Sequence, residues 1–580
     1  MGTPGAILVS KKIRDELKNQ PDISFSTLGS FQFKNVEEPL EVFALSNEGF
    51  AVPKVKDLKG KQTRKTSSIN IKSKYTAYTF LLVALAIMAW AISHWTNNKD
   101  SWNESKDENT SIAVLPFINL NKSQELEYFS DGVTQEIIDE LAKIKLIKVS
   151  AFTTTFVYKG LSKPLEEIAN ELNMTYLISG SSRFSEADKK VRLSVELIDP
   201  YSKDRLWFEN FDEYLDDVPN IQSSVAKEVA SELNIELSDS ESMKLQKPNT
   251  ESGEAFRLYL LAKAEINKLN PEGFENGTVY LEKALSIDPN YLQALTLLSW
   301  RYAVGGSADL TPGVRSTFES VELATPYLQK AVEIDSMMSD NYLVRANLKL
   351  YSQNNIMDAK RDVEKALELN SWPRIPTNYC ICTAVSVYIA LNDAETAQQV
   401  AEQAKEIDPQ HALYDWDLGN IDLMQRNFVL AQENYKRSLA KANIPIFNAF
   451  LGLSYYANKD YNQALEYYQR SYDLTPLATR LSVAGLSAAY YQLGDYEMAQ
   501  KYLDELIDRR NSDEYNLNLF IAYVYLEQGD RDKSLEYLEL GLEDSDFGFA
   551  VYLQLFPGFE RLEKEPRFQN ILDQIQYPRM

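Results

Sequence analysis

Residues 450–476 read FLGLSYYANKDYNQALEYYQRSYDLTP. Small and aromatic side chains recur along this stretch at helical spacing, namely Gly452, Ala464, Ser471, Tyr455 and Tyr468. Small residues at such steps let two antiparallel helices approach closely, and the aromatic rings fill the neighbouring groove. The closing proline ends the second helix before the chain continues. The stretch therefore predicts a pair of closely packed helices.

The same pattern recurs along the second half of the chain. Small residues return every 33 to 35 positions, at Ala397, Ala431, Ala464, Ala499 and Ser534. Tyrosine and aspartate return every 35 positions, at Tyr455, Tyr490, Tyr525, Asp460, Asp495 and Asp530. In period and residue types this resembles the tetratricopeptide repeat. We predict about eight units over residues 255–546, and a capping helix and tail over 547–580.

The resemblance implies an all-α solenoid whose concave groove binds a protein or peptide. Helix packing alone explains the repeated tyrosines and alanines, so the sequence assigns no individual groove residue. The composition points away from nucleic acid as a partner, because the formal net charge of the chain is −24 and a strongly acidic protein repels phosphates.

Residues 111–237 predict a small α/β domain, in which the strand SIAVLPF precedes an amphipathic helix and three later strands. The stretches YFSDGVTQEIIDELAKI, YLISGSSRF and VRLSVELIDPYSKDRLWFENFD resemble the TolB amino-terminal-like domain. That resemblance implies an interaction or sensing module rather than an enzyme. The motif SGSSR lies within predicted strands and opens no helix, so it is not interpreted as a phosphate-binding loop.

The stretch YTAYTFLLVALAIMAWAISHW, residues 75–95, carries no formal charge and has the length of a transmembrane helix. It is preceded by a basic linker over 47–74 and followed by an acidic spacer over 96–110. The positive-inside rule then places residues 1–74 in the cytoplasm and 96–580 outside it. The sequence thus predicts a single-pass protein of the bacterial inner membrane with residues 96–580 in the periplasm.

Residues 1–46 predict a short strand, a helix and a β-hairpin. They resemble the last part of the catalytic domain of class III adenylate/guanylate cyclases. In that family a cyclase domain, a membrane helix, a TolB-like domain and tetratricopeptide repeats occur in this order. Met1 is then either an internal methionine of a longer cyclase or the start of a remnant whose outer part works alone.

The resemblance to cyclases implies that the family's metal-binding aspartates, base-selecting residues and transition-state Asn and Arg lie upstream of this region. No catalytic, cofactor-binding or metal-binding residue is therefore assigned, and Mg²⁺ is expected only with an upstream cyclase domain. Asp15, Glu16 and Asp22 are interpreted as solvated carboxylates. With two histidines and only Cys380 and Cys382 as thiols, a histidine-based metal site or catalytic triad is disfavoured, and both cysteines are interpreted as small buried side chains.

Together these features predict a multidomain chain: a short α+β cyclase remnant, one transmembrane helix, an α/β TolB-like domain and an all-α repeat solenoid. The predicted function is a membrane-anchored periplasmic interaction or sensor module of a receptor-type cyclase, without catalysis in this chain and with a homodimer allowed. One alternative is an adenylate cyclase that converts ATP to cyclic AMP and has its catalytic half upstream of Met1. The other is a periplasmic scaffold without a signalling role.

Overall fold

The computed structural model describes residues 4–17, 23–31, 40–47, 49–53, 110–121, 126–246, 249–268, 270–304, 316–369, 381–475, 479–512 and 514–577. The chain divides into two compact units, Met1–Ser105 and Lys106–Met580. Each unit is described by itself below.

The first unit is a small antiparallel sheet with one helix. Its elements are β1 Leu8–Ser10, α1 Lys11–Leu17, β2 Phe25–Phe31 and β3 Leu40–Leu45. The strand order is β1-β3-β2, and β2 pairs with β3 as the expected hairpin requires. A bulge between Thr27 and Gly29 shifts the register, and Gly29 has the positive φ of 105° that favours glycine. The apolar cluster of this unit is small and consists of Leu28, Val42 and Ala44, with Phe31 packed beside it.

The second unit begins with a mixed sheet. Its strands are β4 Thr110–Val114, β5 Ile118–Asn119, β6 Ile147–Val149, β7 Tyr176–Ser185, β8 Lys190–Asp199 and β9 Asp204–Tyr214. The order is β6-β4-β7-β8-β9, with β5 also paired to β7. The first strands pair in parallel, and β7, β8 and β9 pair antiparallel.

Helices cover this sheet because its strands alternate apolar and polar side chains. In β8, the residues Val191, Leu193, Val195 and Leu197 are all buried. The helices of this part are α2 Glu127–Leu141, α3 Phe152–Phe156, α4 Leu165–Leu172, α5 Val218–Glu232 and α6 Asp239–Gln246, with a 3₁₀ turn over Leu215–Asp217. The buried faces of α2 and α5 share one apolar core with the inner face of the sheet.

In the described residues, sixteen further helices follow as eight consecutive pairs. The pairs are α7 Gly253–Ile266 with α8 Pro271–Ile287, α9 Leu292–Ala303 with α10 Thr317–Ile334, α11 Ser339–Asn347 with α12 Ile356–Leu369, α13 Ile381–Ala390 with α14 Ala394–Ile407, α15 Ala412–Met424 with α16 Phe428–Lys441, α17 Pro445–Ala457 with α18 Tyr461–Asp473, α19 Arg480–Gln492 with α20 Tyr496–Asn511, and α21 Asn518–Glu527 with α22 Arg531–Glu543. A π-helical turn, Leu348–Ser352, extends α11. The chain continues with α23 Phe549–Leu555, a 3₁₀ turn Phe559–Leu562 and α24 Pro566–Gln574.

The 35-residue period of aspartate has a local cause. Asp460, Asp495 and Asp530 each stand just before the second helix of a pair, and each side chain accepts a hydrogen bond from the backbone N–H three residues later. These are N-caps, which satisfy an N–H that would otherwise lack a partner. The preceding residue has a positive φ in each case, at Lys459, Gly494 and Gly529. The recurring turn thus reverses the chain within three residues and starts the second helix.

The period of small residues is explained by close helix approach. Ala431, Ala464 and Ser534 are fully buried where the two helices of a pair meet. The ring of Tyr468 lies so close to Gly452 and Gly485 that a Cβ at either position would stand 2.8 Å or less from a ring atom. Side chains larger than hydrogen at these two positions would push the helices apart.

The predictions about the membrane require a correction. Within the described ranges, no helix is long and apolar enough to cross a membrane. The longest described helix, α10, has 18 residues but carries Glu319, Glu322, Lys330 and Glu333, because one face packs on its neighbours and the other faces water. On this finding the fold class with a transmembrane helix is wrong, and so is the localisation as a single-pass inner-membrane protein. The stretch 75–95, from which both were predicted, lies outside the described residues.

Candidate protein-binding site

First helices of successive pairs pack against one another along much of the array. Each of α9, α11, α13, α17 and α19 contacts the first helix of the following pair. In a repeat solenoid this layer lines the concave surface, on which ligands bind. We call it the inner layer and ask what covers it.

Helix α23 covers much of the inner layer. The N–H of Gly548 donates to the carbonyl of Tyr351 at 2.9 Å, and the Gln554 amide donates to the Asn392 side chain at 2.6 Å. The ring of Tyr552 lies 6.3 Å from that of Phe450 and 5.5 Å from that of Phe520, measured between centroids. These partners belong to the third, fourth, sixth and eighth pairs. The chain therefore fills this part of its own groove.

The α23 helix is buried on every side. Phe549, Ala550, Val551, Leu553 and Leu555 are each less than 5% exposed. A helix without a polar face is stable only where protein surrounds it. This part of the groove is consequently hydrophobic core and offers no open surface to a ligand.

A cavity of about 590 Å³ lies where α23 does not reach. One wall comes from α2 and α3 of the α/β part, and the other from the inner-layer helices α7, α9 and α11, with residues of the 410–413 turn and of α17 at the rim. Six aromatic side chains line it, namely Tyr128, Phe152, Phe156, Tyr259, Trp300 and Phe447. A concave site of this volume with apolar walls is the usual form of a ligand pocket.

Carboxylates cluster where α2 meets α7 and α11 in the lining, and we call this part of the cavity the carboxylate wall. The Lys263 ammonium lies 2.8 Å from Glu136 Oε1 and 3.6 Å from Asp139 Oδ2. Burial raises the pKa of Asp139, Lys263 lowers it, and the carboxylates of Glu136, Glu140 and Asp340 raise it further. For Asp139, burial and the neighbouring carboxylates together outweigh the effect of Lys263 on the pKa.

Two polar atoms of the lining are buried and lack a hydrogen-bond partner. They are Gln293 Oε1 and His411 Nδ1. Burial lowers the pKa of His411, as does Lys441, whereas Asp408 raises it. The net lowering favours a neutral imidazole, which can accept a hydrogen bond at one nitrogen.

Hydrogen bonds fix α3, which belongs to one wall of the cavity, to the repeats. Thr154 Oγ1 donates to Asp408 Oδ1 at 2.9 Å, and Thr153 donates to the second oxygen of the same carboxylate. Asp408 is fully buried at the end of α14. Since α3 carries both threonines, the α/β part cannot rotate against the repeats without breaking these bonds.

The residues considered from the sequence lie elsewhere. Asp15 forms an ion pair with Arg14 at 2.6 Å on α1, and Glu16 is exposed on the same helix. Cys382 is half-buried in α13, while Asp22 and Cys380 lie outside the described residues. In the described part of the chain, no group of three or more His, Cys, Asp or Glu side chains could hold a metal ion. The carboxylates of the cavity were missed because each one, read alone, belongs to the polar face of an amphipathic helix.

Comparisons with known proteins agree on the repeats. Models of the tetratricopeptide repeat match residues 381–411, 417–479 and 486–548. A putative adenylate cyclase 3 from Rhizobium meliloti (strain 1021) is 25% identical over 299 residues, which cover 52% of this chain and 44% of that protein. The chain thus spans less than half the length of this curated relative.

Two solved structures are also similar. The Cut9–Hcn1 hetero-tetramer of the APC/C matches at a TM-score of 0.38 and 18% identity, over 62% of this chain and 63% of that chain. PilF of Pseudomonas aeruginosa matches at a TM-score of 0.29 and 18% identity, over 38% of this chain and 95% of that chain. From the repeat matches and the eight helix pairs, the chain is a tetratricopeptide-repeat-containing protein.

Proposed function

We propose that this chain is a protein-interaction scaffold that binds a segment of a partner polypeptide in the cavity between α2, α3 and the inner-layer helices α7, α9 and α11. The observation that carries the proposal is that the first three repeats keep an open, aromatic-lined part of the inner layer while α23 fills the rest. Repeats of this type bind proteins or peptides on this surface.

The α/β part contributes one wall of the proposed site. It resembles a TolB-like interaction module by sequence, and its helices α2 and α3 line the cavity directly. A partner segment would therefore contact both parts at once. The hydrogen bonds from Thr153 and Thr154 to Asp408 hold α3 against the end of α14, beside the 410–413 rim of the cavity, and this pre-organisation lowers the entropy cost of binding.

A photo-crosslinking experiment tests this proposal. Tyr128 in the cavity and Tyr496 on α20, which is 64% exposed, are replaced one at a time by the photoreactive residue benzoyl-phenylalanine. Both changes replace a tyrosine by a larger aromatic residue, so the second variant is a matched control. In cells that naturally make the protein, we expect a discrete polypeptide adduct from position 128 and none from position 496. Adducts from both positions alike, or from neither, would contradict the proposal.

A link to cyclic nucleotide signalling is the second candidate. It is favoured by the 25% identity to a putative adenylate cyclase and by the resemblance of residues 1–46 to the end of a class III cyclase domain. In this version the scaffold is the ligand-binding region of a cyclase-linked protein, and catalysis needs residues that this chain does not contain. Expression of the chain in cells lacking adenylate cyclase should then yield no cyclic AMP. Production of cyclic AMP would show that the chain is itself an enzyme.

A further inference from the structure

We infer that the cavity takes a lysine side chain of the partner polypeptide, with its ammonium at the carboxylate wall and its alkyl stem against the aromatic walls. This inference rests on the proposed function and adds the chemistry of the ligand. Two features of the cavity lead to it: the balance of its charges and the arrangement of its rings.

The balance of charges favours a cation. The lining holds five carboxylate residues, namely Asp131, Glu136, Asp139, Glu140 and Asp340, and three lysines, namely Lys143, Lys263 and Lys441. Lys441 forms its ion pair with Asp415, which is not part of the lining. On the wall itself, Lys263 is shared between Glu136 and Asp139, with Asp340 close by. A wall with more carboxylates than ammonium groups, partly shielded from water, attracts a positive ligand.

The remaining two carboxylates have local partners. Lys159 lies 2.5 Å from Asp131, and Lys143 forms an ion pair with Glu140. Glu140 also accepts from Ser223 at 3.2 Å. The carboxylate groups that outnumber the ammonium groups therefore lie around Asp139, whose side chain keeps 32% of its surface accessible.

The rings suit an alkylammonium side chain. Lys263 Nζ already lies 5.3 Å from the centroid of the Tyr259 ring, so the wall stabilises an ammonium over an aromatic face. Trp300 and Phe447 supply further rings, and Leu297 and Val344 supply apolar surface for a methylene stem. The cavity is also in the size range of sites that hold a whole drug-sized ligand. It therefore accommodates a lysine with its flanking residues rather than an ammonium group alone.

Calorimetric titration of the full chain tests this inference. The probes are pentalysine, pentaglutamate as a charge-reversed control, and spermidine as a free polyamine. Asp139→Asn removes a carboxylate with little change in shape, and Asp340→Asn removes a second carboxylate of the lining. Exposed Asp504→Asn on α20 is the matched control for loss of one charge.

We expect pentalysine to bind and pentaglutamate not to bind. Asp139→Asn and Asp340→Asn should each weaken pentalysine binding at least fivefold, whereas Asp504→Asn should change it less than twofold. Equal weakening by Asp504→Asn and Asp139→Asn would overturn the inference, because binding would then follow overall charge. Binding of spermidine without binding of pentalysine would overturn the assignment to a polypeptide. Unfolding midpoints of all variants are measured so that loss of folding is recognised, and Asp340→Asn remains informative if Asp139→Asn does not fold.

The result is separable from the test of the proposed function. A polypeptide adduct at position 128 together with no binding of pentalysine would keep the scaffold proposal and reject the lysine inference. Absence of both would reject both.

Discussion

Tyr468 lies between two first helices of the array, and its contacts predict how one methyl group changes stability. A Cβ added at Gly485 would lie at most 2.5 Å from three atoms of the Tyr468 ring. A Cβ added at Gly452 would lie 2.8, 3.0 and 3.1 Å from ring atoms of the same tyrosine. Gly485→Ala therefore forces a larger overlap than Gly452→Ala, although both place alanine in a helix of the same type.

The size of the effect follows from two opposing contributions. Replacing glycine by alanine inside a helix favours folding by about 1 kcal/mol. Overpacking of a well-packed core costs about 1–3 kcal/mol. Because Tyr468 is fully buried, its ring has no space into which it can move, and we place Gly485→Ala at the upper end of that range. The expected net loss is about 2 kcal/mol for Gly485→Ala, whereas the two contributions for Gly452→Ala nearly cancel.

Equilibrium urea unfolding, combined with hydrogen exchange of α17 to α19, measures this difference. Tyr468→Leu provides the decisive control, since it removes most of the ring against which the new methyl group would collide. In that background Gly485→Ala should cost less than it does alone, which gives a favourable coupling energy. If Gly485→Ala were as stable as Gly452→Ala, or if the coupling were zero, the packing explanation of the repeat period would be refuted.

Three other perturbations test the interior of the second unit. Burial raises the pKa of Asp417 to about 7, and a hydrogen bond with Cys382 offsets only part of this increase. Because the folded-state pKa exceeds the ordinary 3.8, the stabilisation from the bound proton is complete below pH 3.8 and is lost as the pH rises towards 7. Asp417→Asn cannot ionise and does not lose this stabilisation. Its unfolding free energy relative to the unsubstituted chain should therefore be about 2–3 kcal/mol more favourable at pH 8 than at pH 5. A difference that does not change with pH would contradict this explanation. Thr154→Val deletes a buried hydrogen bond to Asp408 and should lower the free energy of unfolding in urea by about 1–2 kcal/mol. Thr154→Ser keeps the hydroxyl group and should lower it less. Equal losses for the two variants would contradict a stabilising role of this hydrogen bond. Leu553→Ala in α23 should lower the free energy of unfolding by about 2–5 kcal/mol. It should also speed amide hydrogen exchange in α13. Unchanged exchange in α13 would show that α23 does not stabilise the inner layer.

The repeat architecture could be predicted because its signals are local and periodic. The 33-to-35-residue spacing of alanine and tyrosine indicated helix pairs, and the structure has them. The role of Asp460 could have been predicted too, because an aspartate before an amphipathic stretch is a usual N-cap. The start of α2 is different: by residue type Ser130 or Asp131 fits an N-cap, but the helix already begins at Glu127. There the helix starts without a side-chain cap, so the capping rule gave the wrong residue.

The candidate site could not be predicted from local signals. Glu136, Lys263 and Asp340 are far apart in the sequence, and only the packing of α2 on α7 and of α7 near α11 brings their side chains together.

The sequence did contain a signal for the position of α23. The stretch FGFAVYLQLFPGF, residues 547–559, is apolar on all sides, which indicates a helix surrounded by protein rather than one that covers the end of an array. The uncharged stretch 75–95 and its charged flanks predicted a membrane-spanning helix from composition alone. Among the helices that the structure describes, none is long and apolar enough to span a membrane.

The burial of α23 decides where on the repeats a partner can bind. To use the groove of the later pairs, a partner would have to expose Phe549, Val551, Leu553 and Leu555 to water. At about 1.5–3 kcal/mol for each large apolar side chain, that exposure costs about 6–12 kcal/mol. Micromolar binding supplies about 8 kcal/mol in total. Displacement would therefore use up the whole free energy of an ordinary interaction, whereas the cavity beside α2 and α7 can be entered without moving any of these side chains.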